Sequence, residues 1–236
     1  MIEEIRTAIF PLYEKLLTQE SFEDVCTFCL QWGNNFPIKA GEGILVVGKA
    51  VNGWQSNETN PNKIFDINNN NRIFARDDQM VWVNNLWEHP EYYNTKKSAF
   101  WRVTKRISEK YYHEQWYSNI AWTNLYKIAP YVGGNPNSHM QSIQLDSARE
   151  ILRTELEILK PRFVIMLTSG WEQNFLDYLN AYNQVIKLSI KNWKKYSTYL
   201  TKINGIKFII SQHPQGKNEN LHYQAITELI DENWDR

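Results

Sequence analysis

The chain has few cysteines, and this scarcity narrows the kinds of site it can hold. Its 236 residues contain two, Cys26 and Cys29, which form a single C-x-x-C in the stretch "SFEDVCTFCLQW". A metal site or a redox pair is one interpretation, but no other cysteine is present and no βαβ pattern begins beside the pair. We therefore predict two buried thiols on one face of a helix.

The chain also has no excess of charge of either sign. Lysine and arginine together number 26, as do aspartate and glutamate, so the protein has no global field that would attract an anionic partner. A nucleic acid would have to meet a local basic patch. Hydrophobic residues make up 42% of the chain and aromatic residues 14%, which is enough for a large core and an aromatic binding surface. Composition thus predicts one globular domain over residues 1–236.

A third absence concerns membranes. No apolar run approaches the roughly 20 residues that a membrane-spanning helix needs. The N-terminus, "MIEEIRTAIFPLYEKLL", lacks the basic segment and apolar core of a signal peptide. We therefore expect a cytoplasmic protein with no membrane partner, and a monomer.

What the chain does contain is an alternation of apolar strands and amphipathic helices. Short apolar runs predict strands at 43–48, 117–123, 162–167 and 206–211, and longer periodic patterns predict helices at 2–17, 21–32, 98–113, 142–159 and 219–233. The two helices within residues 1–42 would pack on the sheet. The lysine-rich segment 184–205 is expected to form a hairpin or a helix and a strand. The alternation predicts an α/β fold, a three-layer α/β/α sandwich around a central, mainly parallel sheet of four strands.

Polar side chains follow each of the four predicted strands. They are Lys49 to Asn52 after the first strand, Asn124 after the second, Ser169 after the third and His213 after the fourth. Ligands of parallel sheets bind beyond the carboxyl ends of the strands, so these residues should meet in one crevice. Plainer interpretations are that His213 caps the last helix or packs beneath a loop, and that Asn124 bonds its own backbone in a turn. Ser169 would also form a capping box with Glu172.

Four longer motifs contain these strand ends: "VVGKAVNG" at 46–53, "TNLYKIAP" at 123–130, "LKPRFVIMLTSGWEQNFL" at 159–176 and "SQHPQGKNENLH" at 211–222. In this order they resemble the uracil-DNA glycosylase superfamily. The first is similar to the family's strand and glycine-led loop, and the second to its strand-end asparagine motif. The third resembles the helix, strand and helix that follow, and the fourth the His-Pro motif. The resemblance covers most of residues 43–233 and implies the fold described above.

The resemblance also implies roles for the strand-end residues. His213 would donate a hydrogen bond to the departing base, and Asn124 would pair with a base flipped out of DNA. Asn52, or Lys49 with a lowered pKa, would present water to the sugar. Gly48 and Ser169 would border the bound base.

Further contacts are expected around the base and the DNA backbone. Phe74, or else Phe65, would form an aromatic floor beneath the base, with core packing as the alternative for both. Lys217, Gly216 and Asn218 of the His-Pro loop would contact DNA, and the lysines of 187–202 and the cations of helix 98–113 could meet phosphates.

The chain departs from the family pattern in its first loop. Lys49 stands where members commonly carry Asp, Asn or Glu, and the proline that usually follows is missing. A protonated lysine cannot orient water as an acceptor, although Asn52 can. Two cysteines also cannot hold the four-cysteine iron–sulfur centre of some branches, so we expect no cofactor and no metal.

The resemblance implies one function, and the departure in the first loop motivates a second. The first is hydrolysis of the N-glycosidic bond of uracil or a related damaged base in DNA. The second is a catalytically silent module that binds a nucleobase, a nucleotide or a nucleic acid. A hydrolase of another class lacks support, because the sequence has no G-x-S-x-G elbow and no metal-spaced His/Asp cluster.

Overall fold

The computed structural model of the chain describes residues 2–18, 22–37, 39–54, 56–66, 74, 79–85 and 94–234. The helices are α1 (Ile2–Thr18), α2 (Pro61–Ile64), α3 (Trp82–Asn85), α4 (Ala99–Tyr112), α5 (Ser138–Leu159), α6 (Gln173–Leu179) and α7 (Glu219–Glu232). The strands are β1 (Val25–Thr27), β2 (Gln31–Trp32), β3 (Ile44–Gly48), β4 (Ile120–Asn124), β5 (Ile128–Pro130), β6 (Phe163–Leu167), β7 (Ser189–Trp193), β8 (Tyr196–Ile203) and β9 (Ile206–Ser211). Within these ranges, no helix has both the length and the apolar character needed to cross a membrane.

The larger sheet is mixed rather than purely parallel. In the described part of the chain it has seven strands in the order β2-β4-β3-β6-β9-β8-β7. Neighbours among β4, β3, β6 and β9 run parallel, whereas β2 at one edge and β8 and β7 at the other are antiparallel. The sheet is therefore larger than the four strands predicted. The hairpin β7–β8 is one of the two structures expected for 184–205, and β2 lies in a segment predicted to be helical.

Helices cover both faces of the sheet, and the side chains of β3 show the division. Leu45 and Val47 join a buried cluster with residues of α1 and α5. Ile44 and Val46 join a second cluster with residues of α4 and α7. Because successive side chains of a strand point to opposite faces, a strand that is apolar throughout is buried on both. The fold is therefore α/β, with helices packed on each side of the sheet.

Residues 22–32, the described part of the segment 21–32, do not form the predicted helix. Residues 25–27 form β1, which pairs antiparallel with β5, and residues 31–32 form β2. The apolar residues at 25, 28, 29 and 32 have helical spacing, but the pairing with distant strands overrides this local pattern. Asp24, just before β1, has a φ of +51°, which a right-handed helix excludes.

The two cysteines are nevertheless core residues, as predicted. Both are free and buried. Cys26 stands opposite Ala129 in the β1–β5 pair, and its thiol donates to the Ala129 carbonyl at 3.4 Å. Burial raises the pKa of Cys26 to about 11, so this thiol stays protonated at neutral pH. Cys26 is thus held by strand pairing, Cys29 lies between β1 and β2, and neither thiol is on a helix.

Several predicted boundaries also shift. Strand β4 begins at Ile120 because a 3₁₀ segment, His113–Asn119, follows α4 directly. The capping box of Ser169 and Glu172 does not form: Ser169 has a φ of +55°, and the Glu172 carboxylate instead accepts hydrogen bonds from the Thr168 hydroxyl and from Gly170 N, the latter at 2.9 Å. Helix α6 begins only at Gln173.

Candidate active site

The carboxyl ends of β3, β4 and β9 border one cleft. Its walls include the loop 48–54, Trp122 and Asn124 of β4, Phe100 and Trp101 of α4, and His213. Strands β3 and β4 pair in parallel with Gly48 opposite Asn124, and β9 follows β6 on the other side of β3. The topology therefore brings three of the four predicted strand ends together, as an open α/β sheet does at its ligand site.

Asn124 presents a buried amide at the end of β4. The residue is 1% exposed, and its amide nitrogen has no hydrogen-bond partner in the described part of the chain. Its side chain lies against Gly48, since a Cβ built on that glycine would stand 2.4 Å from Asn124 Oδ1. A buried donor without a partner costs about 1–3 kcal/mol, a cost that a bound acceptor would remove. A turn asparagine would accept a backbone N–H on its side-chain oxygen, and within the described residues Asn124 Oδ1 accepts no such bond.

A buried ion pair holds the backbone of Asn124 in place. The Lys127 ammonium donates to the Asn124 carbonyl at 2.8 Å, to Thr123 Oγ1 at 2.7 Å, and to both oxygens of Glu155 at 3.0 and 2.9 Å. Neither charged side chain is exposed. Burial lowers the pKa of Lys127 and raises that of Glu155, and their mutual attraction opposes both shifts. The end of β4 is thus tied to α5 through charges that have no access to water.

His213 forms the opposite wall and is a neutral imidazole at pH 7. Burial, followed by repulsion from Lys49 and Lys217, lowers its pKa from 6.5 to about 4. Its ring stacks near the ring of Phe100, with centroids 6.1 Å apart and an angle of 21° between the planes. The Gln215 backbone N–H points at His213 Nδ1 over a long 3.4 Å, which favours the tautomer that carries its proton on Nε2. His213 therefore offers a neutral donor to the cleft.

Ser169 acts on the backbone of His213. Its hydroxyl accepts a hydrogen bond from His213 N at 2.7 Å, and Ser169 N donates to the Ser211 carbonyl at 3.3 Å. The residue is not among those that line the cleft. The structure thus places Ser169 behind the histidine, where it orients that residue, and not at the position of substrate contact that the resemblance implies.

The first loop brings Lys49 and Asn52 to the cleft in different surroundings. The Lys49 ammonium lies 4.9 Å from the centre of the Trp171 ring, and burial, followed by repulsion from Lys217, lowers its pKa. Asn52 is exposed, and its side-chain carbonyl accepts a hydrogen bond from Gly134 N at 2.6 Å. One lone pair of this oxygen is therefore occupied by the loop after β5, and one remains for another donor.

Phe74 and Phe65 are core residues and do not form an aromatic floor. Phe74 is 1% exposed and packs against Phe65 and Trp32, on the α1 face of the sheet. The aromatic ring beside the polar groups is Phe100 at the start of α4, which would lie 3.4 Å from a Cβ on Gly48. Distance from the first motif misled the sequence-based choice, because Phe74 packs into the core, whereas aromatic residues that line the cleft, such as Trp82 and Phe100, come later in the chain.

The loop after His213 is partly occupied by its own structure. Asn218 caps α7, since its side chain accepts from Leu221 N at 3.0 Å. Lys217 donates to the Gln215 carbonyl at 3.3 Å, and its ammonium lies 5.3 Å from the centre of the Tyr196 ring. Gly216 has a φ of +72° and lines the cleft. The loop therefore lines the cleft through Gln215 and Gly216, while Asn218 is engaged in capping.

Two groups that the sequence analysis did not single out contribute to the site, and one of them had a signal. Lys127 is the only cation in the apolar run "NLYKIAP", and Glu155 falls on the apolar stripe of its helix beside Ile151, Leu152 and Leu156. Buried charges occur in pairs, so each residue predicts a partner. Phe100 had no comparable signal, since its spacing is that of any residue on the core face of a helix.

The comparisons with known proteins bear on the family of the chain. The family model described as the uracil DNA glycosylase superfamily matches residues 83–232, which include β4, β6, β9 and the residues Phe100, Asn124 and His213. No curated protein matches the chain significantly.

Proposed function

Because the chain belongs to the uracil DNA glycosylase superfamily, whose members act on DNA, we propose that it hydrolyses the N-glycosidic bond of uracil or a related damaged base. The observation that carries the proposal is that one cleft is lined both by Asn124, whose buried amide nitrogen has no partner among the described residues, and by the neutral imidazole of His213. These are the two groups that recognition of a flipped base and departure of its anion require.

Asn124 reads the base in this proposal. Its amide offers a donor and an acceptor side by side, which matches O4 and N3–H of uracil. The unpartnered Nδ2 supplies the donor. Gly48 leaves room for the amide, since a side chain there would collide with Asn124 Oδ1. Phe100 lies beside both polar groups and offers its ring as the stacking surface.

His213 stabilises the charge that develops as the base leaves. The glycosidic bond breaks with negative charge on the base and oxocarbenium character on the sugar. A neutral imidazole can donate a hydrogen bond to the departing oxygen without transferring its proton. Repulsion from Lys49 and Lys217 contributes to keeping the ring neutral at physiological pH. The same two cations add positive potential near a developing anion.

Asn52 positions the attacking water through the remaining lone pair of its side-chain carbonyl. Among the described residues that line the cleft, Glu219 alone carries a carboxylate. The Arg102 guanidinium donates to both of its oxygens, from Nε to Oε2 at 3.1 Å and from a second nitrogen to Oε1. No free carboxylate from this set is therefore available to act on water. Lys49 is the other residue of this loop that could act on the water, because its lowered pKa favours the neutral amine.

The second candidate function is a silent module that binds a nucleobase, a nucleotide or a nucleic acid without cleavage. It is favoured by Lys49 in the early loop position and by the Asn52 carbonyl that Gly134 N already occupies. Both features weaken water activation and leave Asn124 and His213 able to bind.

Excision assays distinguish the two functions. Purified protein is incubated with single- and double-stranded oligonucleotides that contain one uracil, and abasic sites are then cleaved with alkali. Strand scission that is lost in His213→Ala supports the hydrolase. Binding in fluorescence anisotropy without scission supports the module. If the protein neither binds nor cleaves either oligonucleotide, both functions are rejected for uracil. The same assay with other damaged bases would then test the wider proposal.

A further inference from the structure

Val132 is the most exposed of the large apolar side chains in the described part of the chain. It is 92% exposed, compared with 40% for its neighbour Tyr131. Single exposed apolar residues are common on protein surfaces and need no explanation by themselves. The position of Val132 is what sets it apart, because Tyr131 and Gly134 on either side of it line the candidate cleft.

A tight turn holds Val132 outward. Gly133 N donates to the Pro130 carbonyl at 3.1 Å, which closes a turn with Tyr131 and Val132 at its centre. Gly133 and Gly134 follow with φ values of +102° and +96°, a conformation that favours glycine. The turn therefore directs the valine away from the core and returns the chain to α5.

The turn is also attached to the first loop, residues 48–54. Asn52 Oδ1 accepts from Gly134 N at 2.6 Å, and a Cβ on Gly53 would stand 3.4 Å from the Tyr131 carbonyl. At its other end, Tyr131 N donates to the Asp24 carbonyl at 2.8 Å. Val132 thus has a defined place on the cleft rim.

The His-Pro loop supplies no comparable side chain. Residues 215–218 are Gln, Gly, Lys and Asn, so this loop presents no apolar group to DNA. A protein that takes a base out of a duplex must compensate for the lost stacking, and apolar side chains inserted between bases do this.

We propose that Val132 is the wedge that enters the base stack of double-stranded DNA when the target base moves into the cleft. The proposal rests on the proposed function in that it takes the cleft to hold a flipped base. It concerns opening of the duplex and not hydrolysis. In single-stranded DNA the target base is not held in a duplex and needs no wedge to leave it. The role of Val132 is therefore confined to duplex substrates.

The test compares Val132→Ser on duplex and single-stranded uracil oligonucleotides, with Ile186→Ser as the matched control. Ile186 is 68% exposed and does not line the cleft. Val132→Ser should lower excision from duplex by about tenfold or more, since unstacking one base step costs a few kcal/mol. Excision from single strands, and the melting temperature, should be unchanged. Val132→Leu should keep duplex activity, and Ile186→Ser should match the wild type on both substrates.

Three results would overturn the proposal: unchanged duplex activity in Val132→Ser, an equal loss on both substrates, or a wild-type protein that acts on single strands alone. If the wild type excises uracil from neither substrate, hydrolysis fails but the wedge is still tested. Duplex with 2-aminopurine next to the uracil then reports opening of the base stack by its fluorescence. A rise with the wild type that is reduced in Val132→Ser supports the wedge. No rise with the wild type rejects it.

Discussion

The two polar ends of the cleft are held by different kinds of interaction. Behind Asn124, the ammonium of Lys127 and the carboxylate of Glu155 form a fully buried ion pair. Behind His213, the end of β9 is held by neutral groups. Ser211 Oγ lies 2.7 Å from His222 Nε2 and 2.7 Å from Thr198 Oγ1, which also accepts from Trp193 Nε1 at 3.0 Å.

The difference has consequences for how each end tolerates change. A buried charge is stable only while its partner is present. Removal of either partner at the β4 end is therefore expected to cause a large loss of stability. A neutral network loses one hydrogen bond at a time. Asn124 is 1% exposed and His213 is only half-buried, so the end with the buried charges also carries the more enclosed polar side chain. In the proposed reaction, the end with the buried charges would hold the side chain that reads the base, and the neutral end would hold the side chain that acts on the departing base.

The largest expected effect is on stability, at the charged end. Lys127→Met leaves Glu155 buried without a counter-charge, and the free energy of unfolding should fall by about 3–5 kcal/mol. The measurement is urea denaturation at pH 7. His222→Phe at the neutral end should cost only about 1 kcal/mol, because Ser211 keeps Thr198 as a partner.

A double variant controls the Lys127 prediction. Lys127→Met with Glu155→Leu removes both charges and should recover most of the lost stability, since apolar pairs of similar volume often replace buried ion pairs. A single variant that costs less than His222→Phe would reverse the proposed difference between the two ends.

The next effect is on excision, at the neutral end. His213→Ala should lower the single-turnover rate by about 10²–10³, the usual loss of one donor to a developing anion. His139→Ala, which changes an exposed histidine of α5, is the matched control. Both variants should unfold like the wild type in a thermal melt. If the rate of His213→Ala is unchanged, His213 has no part in the reaction.

The pH dependence of stability tests the neutral network. Burial, followed by repulsion from Lys217 and His213, lowers the pKa of His222 from 6.5 to about 4. Between these pH values the unfolded imidazole binds a proton and the folded one does not. The stabilising contribution is therefore complete above pH 6.5 and decreases as the pH falls towards 4, by up to about 1.4 kcal/mol per pH unit. His222→Phe lacks this pH-dependent loss. The wild type's advantage of about 1 kcal/mol at pH 7 should therefore shrink below pH 6.5 and reverse before pH 4, and a constant difference between the two proteins would contradict the shift.

The smallest effect is on base choice at Asn124. Asn124→Asp replaces the donor with an acceptor, so O4 of uracil would face a repelling oxygen, while the N4 amino group of cytosine would gain an acceptor. A mismatch of this kind costs about 1–3 kcal/mol, so uracil excision should fall by roughly 10- to 100-fold and weak cytosine excision should appear. Paired oligonucleotides with uracil or cytosine at one position measure both. A folded variant with the wild-type preference would show that Asn124 does not read the base.

Strand ends were predictable in this chain, and the aromatic surroundings were not. Continuous apolar runs such as "GILVVG" identify strands buried on both faces. The residue after each run must then lie beyond the carboxyl end of its strand. This logic brought Asn124 and His213 to the same cleft. It could not choose Phe100 over Phe74, because both are apolar residues with no local feature that marks a binding surface.

The sequence by itself determined the α/β alternation, the buried parallel strands and the polar residues at their tips. These features are local, since burial of a strand and its polar end appear within a few consecutive residues. Tertiary structure decided what depends on contacts between distant segments: the strands at 25–27 and 31–32 in place of a helix, the pairing of Lys127 with Glu155, and the attachment of the Val132 turn to Asn52. Helical spacing at 25–32 lost to strand pairing because hydrogen bonds and burial across the sheet outweigh the propensity of so short a segment.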